Sequence, residues 1–457
     1  MKKGILLAVL IVALLAMPAF ASVQNIKVSG DLENSWVSRG GFDFGVGTSD
    51  MTQNDVLTQL RLRVDADLTD NVSVVVRLLN ERTWGSDVST DGGIDVDLAY
   101  IEMREMLYSP LTVTIGRQVL YYGNGLILGD GPNNETTSSL SSVAPDLSKV
   151  SGVDAIKAVL DYDPLTIDIF AAVVDDQDKQ DKSDDVNLYG INANYAFNDS
   201  KGSVAEAYFF AKVDSSVTDS GSGNSNADTV FNPGIRLSSN VLDGLFLSGE
   251  IAYQFGKATS TTLPNTPLSI DRNALAVQLI SSYALPFEKT KKYSPTLVGS
   301  YTYLSGDSDN LGVNGTKENK YTAWDPMYEG QSGGKIYNAL FDLTNCHIYS
   351  VALSAEVVED VMAKATWSGL WLDKKMSTSP WRPENVYAAG TITTVAAYNV
   401  DQDKKALGNE FDLELTYDYT EDVVIGLNTG IYLPGSVFTE ANDNAATQAI
   451  LSVLVNF

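Results

Sequence analysis

A thiol beside an imidazole, Cys346-His347, is the one place where the chain offers a nucleophile next to a base, and these are its single cysteine and single histidine. Thiolate chemistry needs a base in reach and a third group to orient that base, and no such partner adjoins the pair. One cysteine and one histidine also exclude an internal disulfide, a Cys/His zinc centre and any relay needing two histidines. A protease or phospholipase would need a polar triad and would depend on His347. The residue types therefore argue against an enzyme.

Two acidic stretches could hold a hard cation, which takes several carboxylate oxygens. They are DDQDKQDKSDD at 175–185 and the pair Asp307/Asp309. Neither has the spacing of an EF-hand loop, so both read as solvated loops and no cofactor or metal is expected. Calcium at such extracellular loops is the weaker alternative.

The charged residues with the most regular spacing alternate with apolar ones. In LTQLRLRVDADL, Leu60, Leu62, Val64, Ala66 and Leu68 share one face while Arg61, Arg63, Asp65 and Asp67 share the other. Extended along the chain, the polar parity collects the basic candidates Arg61, Arg63, Arg77, Arg104, Arg117, Lys157, Lys212, Arg236 and Lys364. Its acidic members include Asp65, Asp67, Glu81, Glu102, Asp168, Glu206, Glu250, Glu356, Asp412, Glu414 and Asp418. Seven of the ten arginines precede residue 118. Two readings are open. Either a guanidinium-rich wall faces an acidic one across a lumen and sets up a transverse field, or the charges pair and stiffen the wall.

Strict period-two alternation over about ten residues is the strand signature. Eighteen such segments follow Ser22, at about 24–39, 55–68, 71–82, 95–106, 111–120, 153–162, 164–175, 186–197, 202–213, 230–239, 244–256, 271–284, 294–305, 347–358, 361–372, 409–419, 422–432 and 447–457. Links after even strands are short and links after odd strands are longer, up to about forty residues at 306–346. Sorting of this kind is what an up-and-down antiparallel β-barrel produces when it enters the membrane from the periplasm. Aromatic residues on the apolar face collect at strand ends, among them Tyr162, Tyr195, Phe197, Tyr283, Tyr417, Tyr419 and Phe457 on one side. Tyr253, Phe255, Tyr301, Tyr303 and Trp371 collect on the other, as in two interfacial girdles.

Lys2 and Lys3, the apolar run Ile5–Leu15 and Ala19-Phe20-Ala21 read as a signal peptide over residues 1–21, leaving residues 22–457 as one barrel domain. No later run approaches the ~20 apolar residues of a spanning helix. The net charge of −27 disfavours nucleic acid as a partner. The expected fold is all-β, a transmembrane barrel of about eighteen strands in a Gram-negative outer membrane. Its partners would be lipid and lipopolysaccharide, the solute, and the barrel-assembly machinery through Phe457, with the barrel a monomer. Barrels this wide keep an aqueous lumen unless loops fill it. Three long loops, 121–152, 306–346 and 373–408, are candidates to do so, the second carrying Trp324-Asp325-Pro326-Met327-Tyr328.

Over most of its length the chain resembles the alginate-export family of outer-membrane channels. The segments that carry the likeness occur in the family's order: RLRVDADLTDNVSVVVRLLNERTWG, AYIEMREMLYSPLTVTIGRQVLYYGNGLILGD, VDAIKAVLDYDPLTIDIF, YLSGDSD and LGNEFDLELTYDYTEDVVIGLNTGIYLPG. Gly116-Arg117-Gln118 and Tyr122-Gly123 stand at its GRQ and YG signature. The resemblance implies an eighteen-stranded channel and, for type members, export of an anionic uronate polysaccharide through an arginine-rich constriction. Two positions depart from the pattern: Leu126 and Ser151 stand where the family often has arginine, and lysine at 157 does not replace a bidentate carboxylate ligand well. The expected function is therefore passive diffusion of small hydrophilic solutes, saccharides or organic anions, with export of a polysaccharide such as alginate as the alternative.

Overall fold

A computed structural model describes residues 25–45, 52–85, 93–108, 110–129, 145–175, 185–215, 227–260, 268–286, 291–307, 320–331, 334–341, 343–376 and 399–457. The signal-peptide segment, most of the 175–185 run, Asp309 and most of the third long loop lie outside them. Eighteen strands form the wall: β1 (Asn25–Gly40), β2 (Thr52–Thr69), β3 (Val72–Thr83), β4 (Ile94–Met103), β5 (Leu111–Gln118), β6 (Val153–Asp161), β7 (Leu165–Asp175), β8 (Val186–Ala196) and β9 (Val204–Asp214) make the first half. The second half is β10 (Asp228–Leu242), β11 (Leu245–Ser260), β12 (Leu268–Ala284), β13 (Thr296–Leu304), β14 (Cys346–Val358), β15 (Val361–Leu372), β16 (Ala406–Asp418), β17 (Val423–Pro434) and β18 (Ala446–Asn456).

Each strand pairs antiparallel with its sequence neighbours, and β1 pairs antiparallel with β18 from Asp31↔Asn456 to Gly40↔Thr447, so no edge is left in the wall. All eighteen expected strands are present, with ends shifted by a few residues. Closure is completed by Gly30 and Phe457, which exchange backbone hydrogen bonds of 2.8 and 2.9 Å. A Cβ at Gly30 would lie 2.7 Å from the Phe457 ring, so only glycine lets the terminal aromatic cross the seam.

Alternation sorts the side chains as the pattern predicts. Ile26, Val28, Leu60, Ile101, Ile156, Ile191, Leu279 and Leu451 are exposed on the outer face, which in a bilayer meets lipid. Tyr162, Phe197, Tyr419 and Phe457 are exposed at one end of the wall and Tyr253, Phe255 and Tyr349 towards the other. His347 belongs to this outer face, bonding Tyr301 at 2.9 Å, while Cys346 is buried on the inner one. Thiol and imidazole thus point to opposite sides of β14, and the geometry gives them no shared chemistry.

The principal buried apolar cluster lies inside the barrel, where side chains from the wall and from loops meet. It includes Phe44, Leu126, Ile127, Trp324, Ile336, Leu340, Tyr432 and Phe438. Phe44 stacks on Tyr432 at 5.6 Å and meets Phe438 edge-on at 4.9 Å. Burying each such side chain contributes about 1.5–3 kcal/mol, enough together to hold a loop in a lumen against its lost freedom. Among the described residues the one α-helix is Tyr337–Leu340, inside this cluster, and none is long enough to cross a membrane.

The candidate functional site is the occupied lumen

The lumen-facing charges of the first strands come as pairs. Arg61 meets Asp31 at 2.8 Å, Arg63 meets Asp65 at 2.7 Å, Arg77 meets Asp97 at 2.5 Å and Arg104 meets Glu102 at 2.7 Å. Lys149, from the first inward loop, bridges Asp31 and Glu33 at 3.1 and 2.7 Å. Glu81 accepts from Gln59 Nε2 at 2.6 Å, Ser148 Oγ at 2.8 Å and Lys149 N at 2.8 Å. Of the two readings open for these charges, the guanidinium-rich wall is set aside in favour of the paired one: acidic residues on the inward face lie at cross-strand and i, i+2 positions and neutralise the arginines. Asp97 reaches Arg77 because the register of β3 against β4 slips there, passing from Arg77↔Leu98 to Leu78↔Val96. The extra residue of this bulge lets Asp97 and Leu98 both turn inward.

Arg117 is a second correction. It shares the parity of Ile115 and Val119, both exposed on the outer face, and pairs across the strands with Asp154 at 3.5 Å. It sits at the rim, away from the lumen. Its neighbour Gln118 turns inward, its amide donating to the carbonyls of Thr114, Gly116 and Ala155.

Beyond Gln118 the chain leaves the wall and enters the barrel. Tyr122 stacks on Phe170 at 5.5 Å; burial, and then the Asp168 carboxylate beside it, push its phenol well above the usual range. Asp168 also neighbours Lys157 across β6 and β7. Gly123 has φ +61°, and a Cβ there would lie 2.9 Å from the Glu250 carboxylate, so glycine is required where the loop meets the acidic wall. Gly123 N donates to Glu206 at 3.1 Å and Asn124 N to Glu250 at 3.1 Å; Tyr208 donates to Glu250 at 2.7 Å and Arg236 to Asn124 Oδ1 at 2.6 Å. The GRQ and YG positions thus mark the exit from the wall and the turn into the lumen.

The second inward loop is held partly by the same strands, β9 and β12, and partly by β16. Asp325 takes Lys212 at 3.0 Å and Arg272 at 3.6 Å. Burial opposes its ionisation, but the two cations outweigh burial and keep its carboxyl below the usual range. Glu410, fully buried on β16, accepts from the backbone N–H groups of Lys335, Ile336 and Tyr337 at 2.6, 2.9 and 2.7 Å. Asp412 lies two residues further along the same face, and Glu414 pairs with Lys364 at 2.9 Å and Lys335 at 3.7 Å. The two loops also meet each other: Tyr328 N donates to Ile127 O at 3.1 Å, and Gln331 Nε2 to Asn124 O at 2.7 Å.

Leu126 is buried beside a cavity, and Ser151 Oγ accepts from Arg77 at 2.6 Å, so neither departure from the expected arginine leaves a gap. The cavity, of about 250 Å³, lies between the second loop and the wall formed by β12, β13 and β14. Sequence reasoning passed over Glu410, Asn124, Gln278 and Gln331. Inward parity marks Glu410 and Gln278, whereas nothing in the local pattern marks a loop amide. Among the described residues no group of three or more His, Cys, Asp or Glu side chains is placed to hold a metal.

A family model for alginate export matches residues 28–452. The chain belongs to the alginate-export family. No curated protein matches it. Among solved structures it is similar to OpdK of Pseudomonas aeruginosa, solved with vanillate, at 11% identity and TM-score 0.57 over 95% of this chain and 99% of that one. It is also similar to OccK2 (OpdF) of the same organism, in complex with glucuronate, at 11% identity and TM-score 0.54 over 96% and 100%. A BenF-like porin of Pseudomonas fluorescens Pf-5 matches at 11% identity and TM-score 0.55 over 95% and 100%. At this identity the likeness shows the fold, a closed eighteen-stranded outer-membrane barrel. This member of the alginate-export family is accordingly a barrel of the bacterial outer membrane.

Proposed function

We propose that the protein is a passive, non-enzymatic channel for small hydrophilic solutes, working as a monomer after loss of residues 1–21, with Phe457 read by the assembly machinery. One observation carries the reading: two inward loops, anchored by buried carboxylates and by a shared apolar cluster, narrow a polar lumen that the wall alone would leave wide. Such narrowing favours small molecules over polymers. Liposome swelling tests it: monosaccharide-sized solutes should enter and long oligosaccharides should not. Equal entry of both, or of neither, would remove the reading.

Export of an anionic polysaccharide is favoured by the family match. That reading requires a basic path, yet Arg61, Arg63, Arg77 and Arg104 are each paired with a carboxylate, and the chain as a whole carries 58 acidic against 31 basic residues. Acidic linings favour cations. A salt-gradient reversal potential is expected to show cation preference; clear anion preference would restore the polysaccharide reading.

A further inference from the structure

Ion pairs lace much of the lumen wall, but not the sector formed by residues 274–282 of β12 with β13 and β14. Every second residue from Ala274 to Ser282 on β12, from Val298 to Leu304 on β13 and from Cys346 to Ser354 on β14 faces inward, and none is charged. The register aligns Gln278, Thr302 and Ile348 in one cross-strand row and Ile280, Ser300 and Ser350 in the next. Ser350 Oγ continues the second row by bonding Ser368 Oγ at 2.7 Å. These rows form one side of the cavity of about 250 Å³, and Trp324, Gln331 and Tyr337 of the second loop form the other.

We propose that this cavity is a subsite for a neutral monosaccharide on the permeation path, a proposal that rests on the channel reading. The lining alternates amides and hydroxyls with aliphatic groups and adds an indole and a phenol. Such a surface matches a sugar, whose hydroxyl edges take hydrogen bonds and whose C–H faces take apolar and aromatic contact. No lysine, arginine or histidine is among the residues that line it, and Glu329 is the one carboxylate there. An anion would find no counter-charge and would meet Glu329. The size agrees with a small solute, since drug-sized ligands occupy pockets of roughly 300–1,000 Å³. Gln278 already bonds Thr302 at 3.2 Å, Asn124 at 3.1 Å and Gln331, so a bound hydroxyl would exchange with an existing amide network and need not be met by groups left dry.

The test is a tryptophan-fluorescence titration of the purified full chain in detergent with glucose and, separately, with sodium glucuronate. Glucose should give a saturable change that is lost in Trp324→Phe and weakened about tenfold or more in Ser300→Leu, the scale of one lost hydrogen-bonding site. Glucuronate should give none. Ser350→Val provides a second cavity variant, and heat-modifiable electrophoretic mobility establishes that each variant is a folded barrel. No saturable change with glucose, an equal response to both sugars, or indifference to all three variants would overturn the subsite. Liposome swelling separates this from the channel reading: glucose entry without glucose binding overturns the subsite alone, and glucose binding without entry overturns the channel alone.

Discussion

Glu410 holds the second loop by three backbone N–H groups, and no other acceptor stands at those positions in the described structure. Glu410→Ala leaves buried donors unsatisfied and should cost loop anchorage on the order of 3 kcal/mol. Open-channel conductance in that variant should rise severalfold with the barrel intact, measured beside the wild type in planar bilayers; unchanged conductance would show that the loop is held elsewhere. Asp325 supplies a pH dependence with a definite sign. Its carboxyl is held below the ordinary 3.8, so its contribution to the plug is complete above that pH and is lost as pH falls through the lower folded value. Conductance should therefore increase only in strongly acid solution, and Asp325→Asn should show the increase already at neutral pH.

At the scale of elements, the strands were legible in the sequence because a wall with lipid on one side and polar lumen on the other forces a period of two on every strand. The loops were not. Residues 121–129, 320–331 and 334–341 turn inward because Gly123, Asn124, Asp325 and the Lys335–Tyr337 amides find partners on strands far away in sequence, and no local period encodes such partners. Arg117 shows the limit of composition as a guide: it belongs to the arginine-rich first strands, yet one residue of parity places it on the outer rim. Asp97 shows the converse, since a bulge hides its inward turn from the alternation. If the second loop is the main constriction, removing residues 322–343 should widen the solute-size cutoff in liposome swelling more than the point change at Glu410 does, with the eighteen-strand wall retained.

At the scale of the molecule, a closed wall without edges does the spanning and two folded-in loops pack inside it, so the proposed channel places stability and permeability in different parts of the chain. The net charge of −27 is why cation preference is expected in a salt gradient. Pairing of Arg61, Arg63, Arg77 and Arg104 removes a continuous basic wall and leaves the family match as the argument for a polyuronate path. The most direct measurement is single-channel recording of the purified full-length protein in planar bilayers under a salt gradient. Small stepwise conductance increments that reverse on the cation-preferring side are the predicted result, and an absence of steps, or steps that reverse on the anion-preferring side, would contradict it.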